Sequence, residues 1–152
     1  MIPDNWRYSE AVAAEAYPKD PLVPLDDVFE DERGEIRNLL LSQITSIARI
    51  ASKKGTTRAN HWHKTDWHYA YVELGEVFYF ERAVGENTIP EPRVFQPGEM
   101  FFTPPNREHC MLFTKDSVIF TFAKNRRSHV EHEADLIRVA FITPEIARGF
   151  IL

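Results

Sequence analysis

The stretch whose reading decides the fold is Gly55-Thr56-Thr57-Arg58-Ala59-Asn60-His61-Trp62-His63-Lys64-Thr65-Asp66-Trp67-His68-Tyr69-Ala70-Tyr71-Val72-Glu73-Leu74-Gly75. Three of the chain's six histidines, His61, His63 and His68, fall in it. Side chains on a β-strand alternate faces with a period of two. His61 and His63 therefore share one face and Trp62 takes the other, while strict alternation puts Arg58 on the outward side. Lys64-Thr65-Asp66 is expected to reverse the chain into a second strand. On that strand His68, Ala70, Val72 and Leu74 share a face opposite Trp67, Tyr69, Tyr71 and Glu73. Three imidazoles converging on one interior face suit a divalent transition metal, because neutral imidazole nitrogen is a good donor to Zn, Fe, Ni or Cu.

The flanking sequence reads as further short strands. Residues 1–30 form a lead-in: Ser9 is placed to cap a short helix through Glu10–Ala16, and Pro18, Pro21 and Pro24 then argue against regular structure. A turn is expected at Asp31–Gly34, then strands over Arg37–Leu41 and Ile44–Lys53, the latter with Ile44, Ser46, Ala48, Ile50 and Ser52 on one face. Leu74-Gly75-Glu76 reads as a tight turn between antiparallel runs, followed by a strand from Val77 to Arg82 and a polar loop over Gly85–Pro92. Strands follow at Arg93–Phe95, Glu99–Thr103, around His109, Met111 and Phe113, at Ser117–Lys124 and at Ala134–Ile142. Thr143-Pro144-Glu145 is placed to start a terminal helix. Nine or ten short strands with frequent turns indicate an all-β antiparallel barrel or jelly roll. The expected division is an arm at 1–30, a barrel at 31–142 and a tail at 143–152.

Composition narrows the function. A chain of 152 residues favours one domain. Cys110 is the single cysteine, which excludes a disulfide framework and a multi-cysteine zinc site. A net charge of −5 and a pI near 5.7 argue against a nucleic-acid partner. The one dense basic spot, Lys124 with Arg126 and Arg127, reads as a solvated strand end, and His129 and His132 in Ser-His-Val-Glu-His-Glu read as solvent-facing. The N-terminus lacks the pattern of a signal peptide, and no apolar run reaches the ~18–20 residues of a membrane span. A cytoplasmic protein without a membrane partner is expected, and a homodimer from the prevalence of two-fold assemblies.

Within residues 50–125 two motifs resemble those of the cupin family. Its first motif reads G-x5-H-x-H-x3–4-E-x6-G, and Gly55, His61, His63 and Gly75 fall on it. Its second reads G-x5-P-x-G-x2-H-x3-N, and Gly98, Pro104 and His109 fall on that. The resemblance implies a double-stranded β-helix with His61, His63 and His109 as ligands of one metal inside the barrel. Three positions depart: His68 stands for the glutamate, Asn106 for a glycine and Phe113 for the asparagine. His68 still offers a nitrogen donor, so the expected cage is His61, His63, His68 and His109 around Zn, Fe, Ni or Mn. Four neutral ligands leave the cation's charge uncompensated, which favours an anionic substrate. Asn tolerates the left-handed conformation that a glycine would supply.

A narrower resemblance concerns chemistry. Phe29-Glu30-Asp31-Glu32-Arg33-Gly34 looks like the F-x-D-x-R-G opening of the dTDP-4-dehydrorhamnose 3,5-epimerases, and Arg58–Lys64 is similar to the R-G-x-H-x-H-K stretch of sugar-nucleotide ketoisomerases. This implies an isomerase or epimerase acting on a keto-sugar, nucleotide-linked, in surface carbohydrate biosynthesis. Its reaction needs a base, for which His68 or a neighbouring histidine is a candidate. Arg58 and Lys64 are candidates for substrate phosphate or carboxylate, and Tyr79 for a cavity residue, with a core tyrosine as its plainer reading. An Fe(II) dioxygenase and a non-catalytic metabolite-binding cupin stay open beside it.

Overall fold

The computed structural model describes residues 17–151. The helix expected after Ser9 lies outside the described residues. In chain order the first strands are β1 (Leu22–Val23), β2 (Phe29–Asp31), β3 (Gly34–Ile36), β4 (Ser46–Ser52), β5 (Thr57–His63) and β6 (His68–Leu74). They continue with β7 (Val77–Ala83), β8 (Arg93–Phe95), β9 (Met100–Thr103), β10 (Arg107–Phe113), β11 (Ser117–Ala123) and β12 (Leu136–Arg138). Helix α1 (His129–Asp135) precedes β12, and α2 (Pro144–Arg148) follows it with Thr143 as N-cap, as expected.

Ten strands form two five-stranded antiparallel sheets, ordered β1–β9–β6–β11–β4 and β12–β5–β10–β7–β8, while β2 and β3 make a separate hairpin. The all-β antiparallel class expected from the turn spacing is therefore what forms. The connections differ from the expectation. Lys64–Trp67 does not close a hairpin, since β5 pairs with β10 and β12 whereas β6 pairs with β9 and β11. Gly75-Glu76 likewise carries the chain from one sheet to the other. Gly75 has φ 92°, and a Cβ there would collide with Ser117 Oγ and the Asp116 carbonyl, so only glycine turns this corner. Crossing between sheets at both corners places the inner faces of β5, β6 and β10 around one interior.

That interior is divided. One part is filled by apolar side chains, among them Val72, Tyr79, Phe101, Phe113 and Ile119. The histidines occupy the other part. The outer face of β6 is buried too: Trp67 and Tyr69 are covered by Val23, Leu25, Leu39, Leu40 and Ile44. This explains two departures from the expected strands. Leu39 and Leu40 serve as an irregular cover rather than in a strand. Leu22–Val23 adds to the sheet edge although Pro21 and Pro24 flank it, because an edge strand needs partners on one side alone. The outer face of the second sheet is covered by Phe141, Ile142 and Ala147, packed on Phe80, Cys110 and Leu112. Only Leu136–Arg138 of the expected last strand is extended, and Leu74 is 57% exposed because the β6–β11 register shifts beside it. No helix of the described residues is long and apolar enough to cross a membrane.

Candidate active site

The site begins with a fault in the alternation of β5. Pairing with β10 runs from His109↔His61 to Cys110↔Ala59, so Asn60 is an extra residue. Ala59 and Asn60 take φ of 71° and 56°. A bulge changes the phase of the strand by one residue. Arg58 consequently turns inward, opposite Met111, instead of outward as alternation predicts. Its Nε donates to Ser52 Oγ at 2.7 Å and a terminal nitrogen donates to the Ala51 carbonyl at 3.1 Å. The Asn60 amide pins the bulge by exchanging two 3.1 Å hydrogen bonds with the backbone of Ile142. Ala59 stands where the R-G-x-H stretch has glycine, and the left-handed conformation costs a Cβ-bearing residue about 1 kcal/mol.

Beyond the bulge, His61, His63, His68 and His109 line a cavity of about 200 Å³ together with Arg58, Arg127 and His132. All four predicted histidines are thus brought together and buried. His61 and His63 have ring centroids 4.7 Å apart, His61 and His109 4.8 Å, and His63 and His68 6.1 Å. One nitrogen from each of His61, His63 and His109 lies within 4.8 Å of the others, a grouping that does not include His68. Burial pushes the imidazole pKa of His61 down to about 2 and those of His63 and His109 down to about 3, helped by neighbouring imidazoles. All three are therefore neutral near pH 7.

Each ring has a defined second partner. His109 Nδ1 lies 3.2 Å from the Arg107 carbonyl, which only accepts, so the lone pair is on Nε2. His63 Nδ1 lies 3.3 Å from an Asp135 carboxylate oxygen, close enough to pair with the ring once it is protonated though off the line of a good hydrogen bond. Asp135 is itself held by the Thr65 hydroxyl at 2.6 Å and by the backbone N–H groups of Thr65 and Asp66. His68 Nδ1 faces a terminal nitrogen of Arg127 at 3.1 Å. His61 Nδ1, His63 Nε2, His68 Nε2 and His109 Nε2 are buried without a partner among the described residues.

Two predicted residues are elsewhere. Lys64 is exposed, with Nζ 3.3 Å from the Ala134 carbonyl. Tyr79 is a core residue whose hydroxyl bonds Glu81 at 2.9 Å and Thr103 at 3.0 Å. Four site residues were not foreseen: Asp66, Arg127, His132 and Asp135. Arg127 is not a solvated strand end, because its Nε donates to buried Asp66 at 2.8 Å. His132 is half-buried, its ring 5.5 Å from that of His63, rather than solvent-facing. A signal for it existed. Ser128 and Glu131 bond each other as a helix-capping pair, and helical spacing then puts His132 and Asp135 on one face.

No protein-family model matches the sequence. A search of curated proteins returns no match. Solved structures do match. The sugar 3,4-ketoisomerase QdtA from Thermoanaerobacterium thermosaccharolyticum, in complex with TDP, superposes with a TM-score of 0.60 over 88% of this chain and 95% of its own, at 18% identity. The barrel is a cupin fold. A second cupin match is dTDP-4-dehydrorhamnose 3,5-epimerase from Sulfolobus tokodaii, with a TM-score of 0.60 over 80% of this chain and 83% of its own, at 15% identity. A third is the capsular polysaccharide assembling protein CapF from Staphylococcus aureus, at 0.55 and 21% identity, where the match spans 76% of this chain and 34% of the longer one. At these identities the likeness is one of fold, and the chemistry has to be argued from the cavity.

Proposed function

We propose that this cupin isomerises or epimerises a nucleotide-linked keto-sugar, with His63 as the group that takes and returns the proton. The observation that carries this reading is His63 itself. Its Nδ1 is backed by the Asp135 carboxylate, and its Nε2 is buried beside a cavity with no partner among the described residues. Proton removal next to a carbonyl leaves an enediolate, and the site must supply a base on one side and positive or hydrogen-bonding groups on the other. Burial leaves His63 unprotonated at rest, and the Asp135 carboxylate beside Nδ1 raises its proton affinity against that burial. The imidazolium formed is then paired with Asp135 and with the new enediolate. The cavity is below the about 300–1,000 Å³ of pockets that enclose a drug-sized ligand. It accommodates a group of sugar size and leaves a nucleotide outside. Exposed Arg58, with no acidic partner among the described residues, stands ready for its diphosphate. That matched cupins are sugar-nucleotide isomerases and epimerases supports the reading.

The test is incubation with TDP-4-keto-6-deoxyglucose, the nucleotide sugar bound in another QdtA structure, in D2O. Deuterium should enter the carbon beside the carbonyl, and His63→Asn should abolish it. No exchange above buffer, or substrate loss coupled to oxygen uptake, overturns the reading.

A second reading is a divalent metal. The partnerless nitrogens of His61, His63 and His109 fit one, with Asp135 and the Arg107 carbonyl orienting two of the rings. Bound there, a cation would polarise a carbonyl or stabilise an enediolate. Both readings need the same His63 nitrogen, so metal analysis of untagged protein separates them. A stoichiometric ion that is lost in His61→Ala/His63→Ala removes His63 from the base role. A homodimer is proposed as well: Ile47 and Leu74 are exposed apolar side chains of the first sheet, and sedimentation tests whether they are covered.

A further inference from the structure

His68 stands where the cupin pattern has glutamate, which makes it a fourth ligand or a base by expectation. Its neighbour points to a different role. A guanidinium offers only N–H donors and keeps its protons throughout the working pH range. With an Arg127 terminal nitrogen at 3.1 Å, His68 Nδ1 is the acceptor of that contact. A neutral imidazole that accepts at Nδ1 carries its hydrogen on Nε2. A nitrogen bearing a hydrogen neither ligates a metal nor accepts a proton. Nε2 is therefore a donor, and it is buried without a partner among the described residues, in a residue 3% exposed that lines the cavity.

Arg127 is not free to leave. Its Nε donates to Asp66 Oδ2 at 2.8 Å, its backbone N–H donates to Ser46 Oγ at 3.0 Å, and the other Asp66 oxygen accepts the Asn125 N–H at 2.9 Å. Asp66 is 1% exposed, so this chain of contacts is anchored in the interior. An unsatisfied buried donor costs about 1–3 kcal/mol. An oxygen ligand arriving in the cavity relieves that penalty.

We propose that His68 Nε2–H is a fixed hydrogen-bond donor for an oxyanion, with Arg127 as the positioning residue that sets its tautomer. The identity of the oxygen, the carbonyl or enediolate oxygen of a keto-sugar, rests on the function proposed above. The two histidines then have opposite roles: His63 accepts a proton, and His68 stabilises the charge left behind. The positive guanidinium behind His68 strengthens the Nε2–H dipole toward the cavity. No electrons or protons are transferred at His68.

The tautomer is read directly by two-bond 1H–15N correlation spectra of 15N-histidine-labelled, chelator-treated protein at pH 7. His68 should show a protonated Nε2 and a bare Nδ1, and Arg127→Lys, which keeps the charge but lacks the fork, should give a mixture of tautomers. A hydrogen on Nδ1 of wild-type His68 overturns the proposal. Acetate, a small oxyanion, should then move the Nε2 proton of His68 downfield. Failure to move it removes the donor role. Neither measurement uses a sugar, so both stand apart from the deuterium-exchange test of His63. On the keto-sugar, His68→Ala should lower kcat about 10²–10³-fold, as loss of one oxyanion donor does. His68→Gln, whose amide still donates, should retain more. Equal turnover in His68→Ala and wild type refutes the assignment.

Discussion

Lowering the pH from 7 to 5 is expected to remove on the order of 6 kcal/mol of folding stability from the metal-free protein. In the folded chain burial holds the pKa of His61 to about 2 and those of His63 and His109 to about 3. In the unfolded chain each returns to about 6.5. Between those values the unfolded state binds more protons, so stability is full above about pH 6.5 and falls as the pH drops toward the folded values. From pH 7 to 5 each such histidine accounts for about 2 kcal/mol, and three give about 6. That is comparable with the whole about 5–15 kcal/mol of a typical domain. His68, also pushed down by burial, acts in the same sense. Glu81, whose carboxyl burial pushes up, acts in the opposite sense and offsets part of the loss. Asp135 is held below its ordinary value and titrates under the window. The assay is urea unfolding of chelator-treated protein at pH 7, 6 and 5, followed by tryptophan fluorescence. His61→Asn should flatten the pH slope by about one proton. Equal unfolding midpoints at pH 7 and 5 refute the reasoning, because they mean that the imidazoles are not buried neutral.

Removing the carboxylate behind the base, as in Asp135→Asn, should slow deuterium exchange into the keto-sugar by about 10²–10⁴-fold; an unchanged rate refutes the pairing with His63. Ala59→Gly should stabilise the protein by about 0.5–1 kcal/mol in a denaturant titration, since Ala59 sits at φ 71°. Away from the cavity, Arg82 and Glu108 form a buried ion pair at 2.5 Å, with Arg82 also 4.4 Å over the Phe141 ring. Glu108→Ala strands a buried guanidinium and should cost about 3–5 kcal/mol, whereas an apolar replacement of both partners recovers most of it. By thermal unfolding the single variant should melt about 6–20 °C lower.

The parts of the site that were legible in the sequence lie close together along the chain. His61 and His63 share a face because they lie two positions apart, and the bulge at Ala59-Asn60 falls just before them, so their phase is undisturbed. Arg58 lies on the far side of that bulge, and for it alternation fails. The left-handed Asn106, φ 59°, was readable as a residue that tolerates this conformation in place of a glycine. The hairpin expected at Lys64–Asp66 was not readable as a crossing. Turn residues mark where a chain bends, and they carry nothing about which strand it joins afterwards.

By itself the sequence determined a small antiparallel barrel with His61 and His63 on one strand face, because period-two alternation and turn spacing are local properties. That His68 and His109 meet them inside the barrel was what the cupin resemblance implied. Only the tertiary structure decided what each histidine can do. Asp135 reaches His63 from 72 positions along the chain and Arg127 reaches His68 from 59. Protonation and tautomer are set by whatever stands at the other ring nitrogen. That neighbour is chosen by folding rather than by position in the chain.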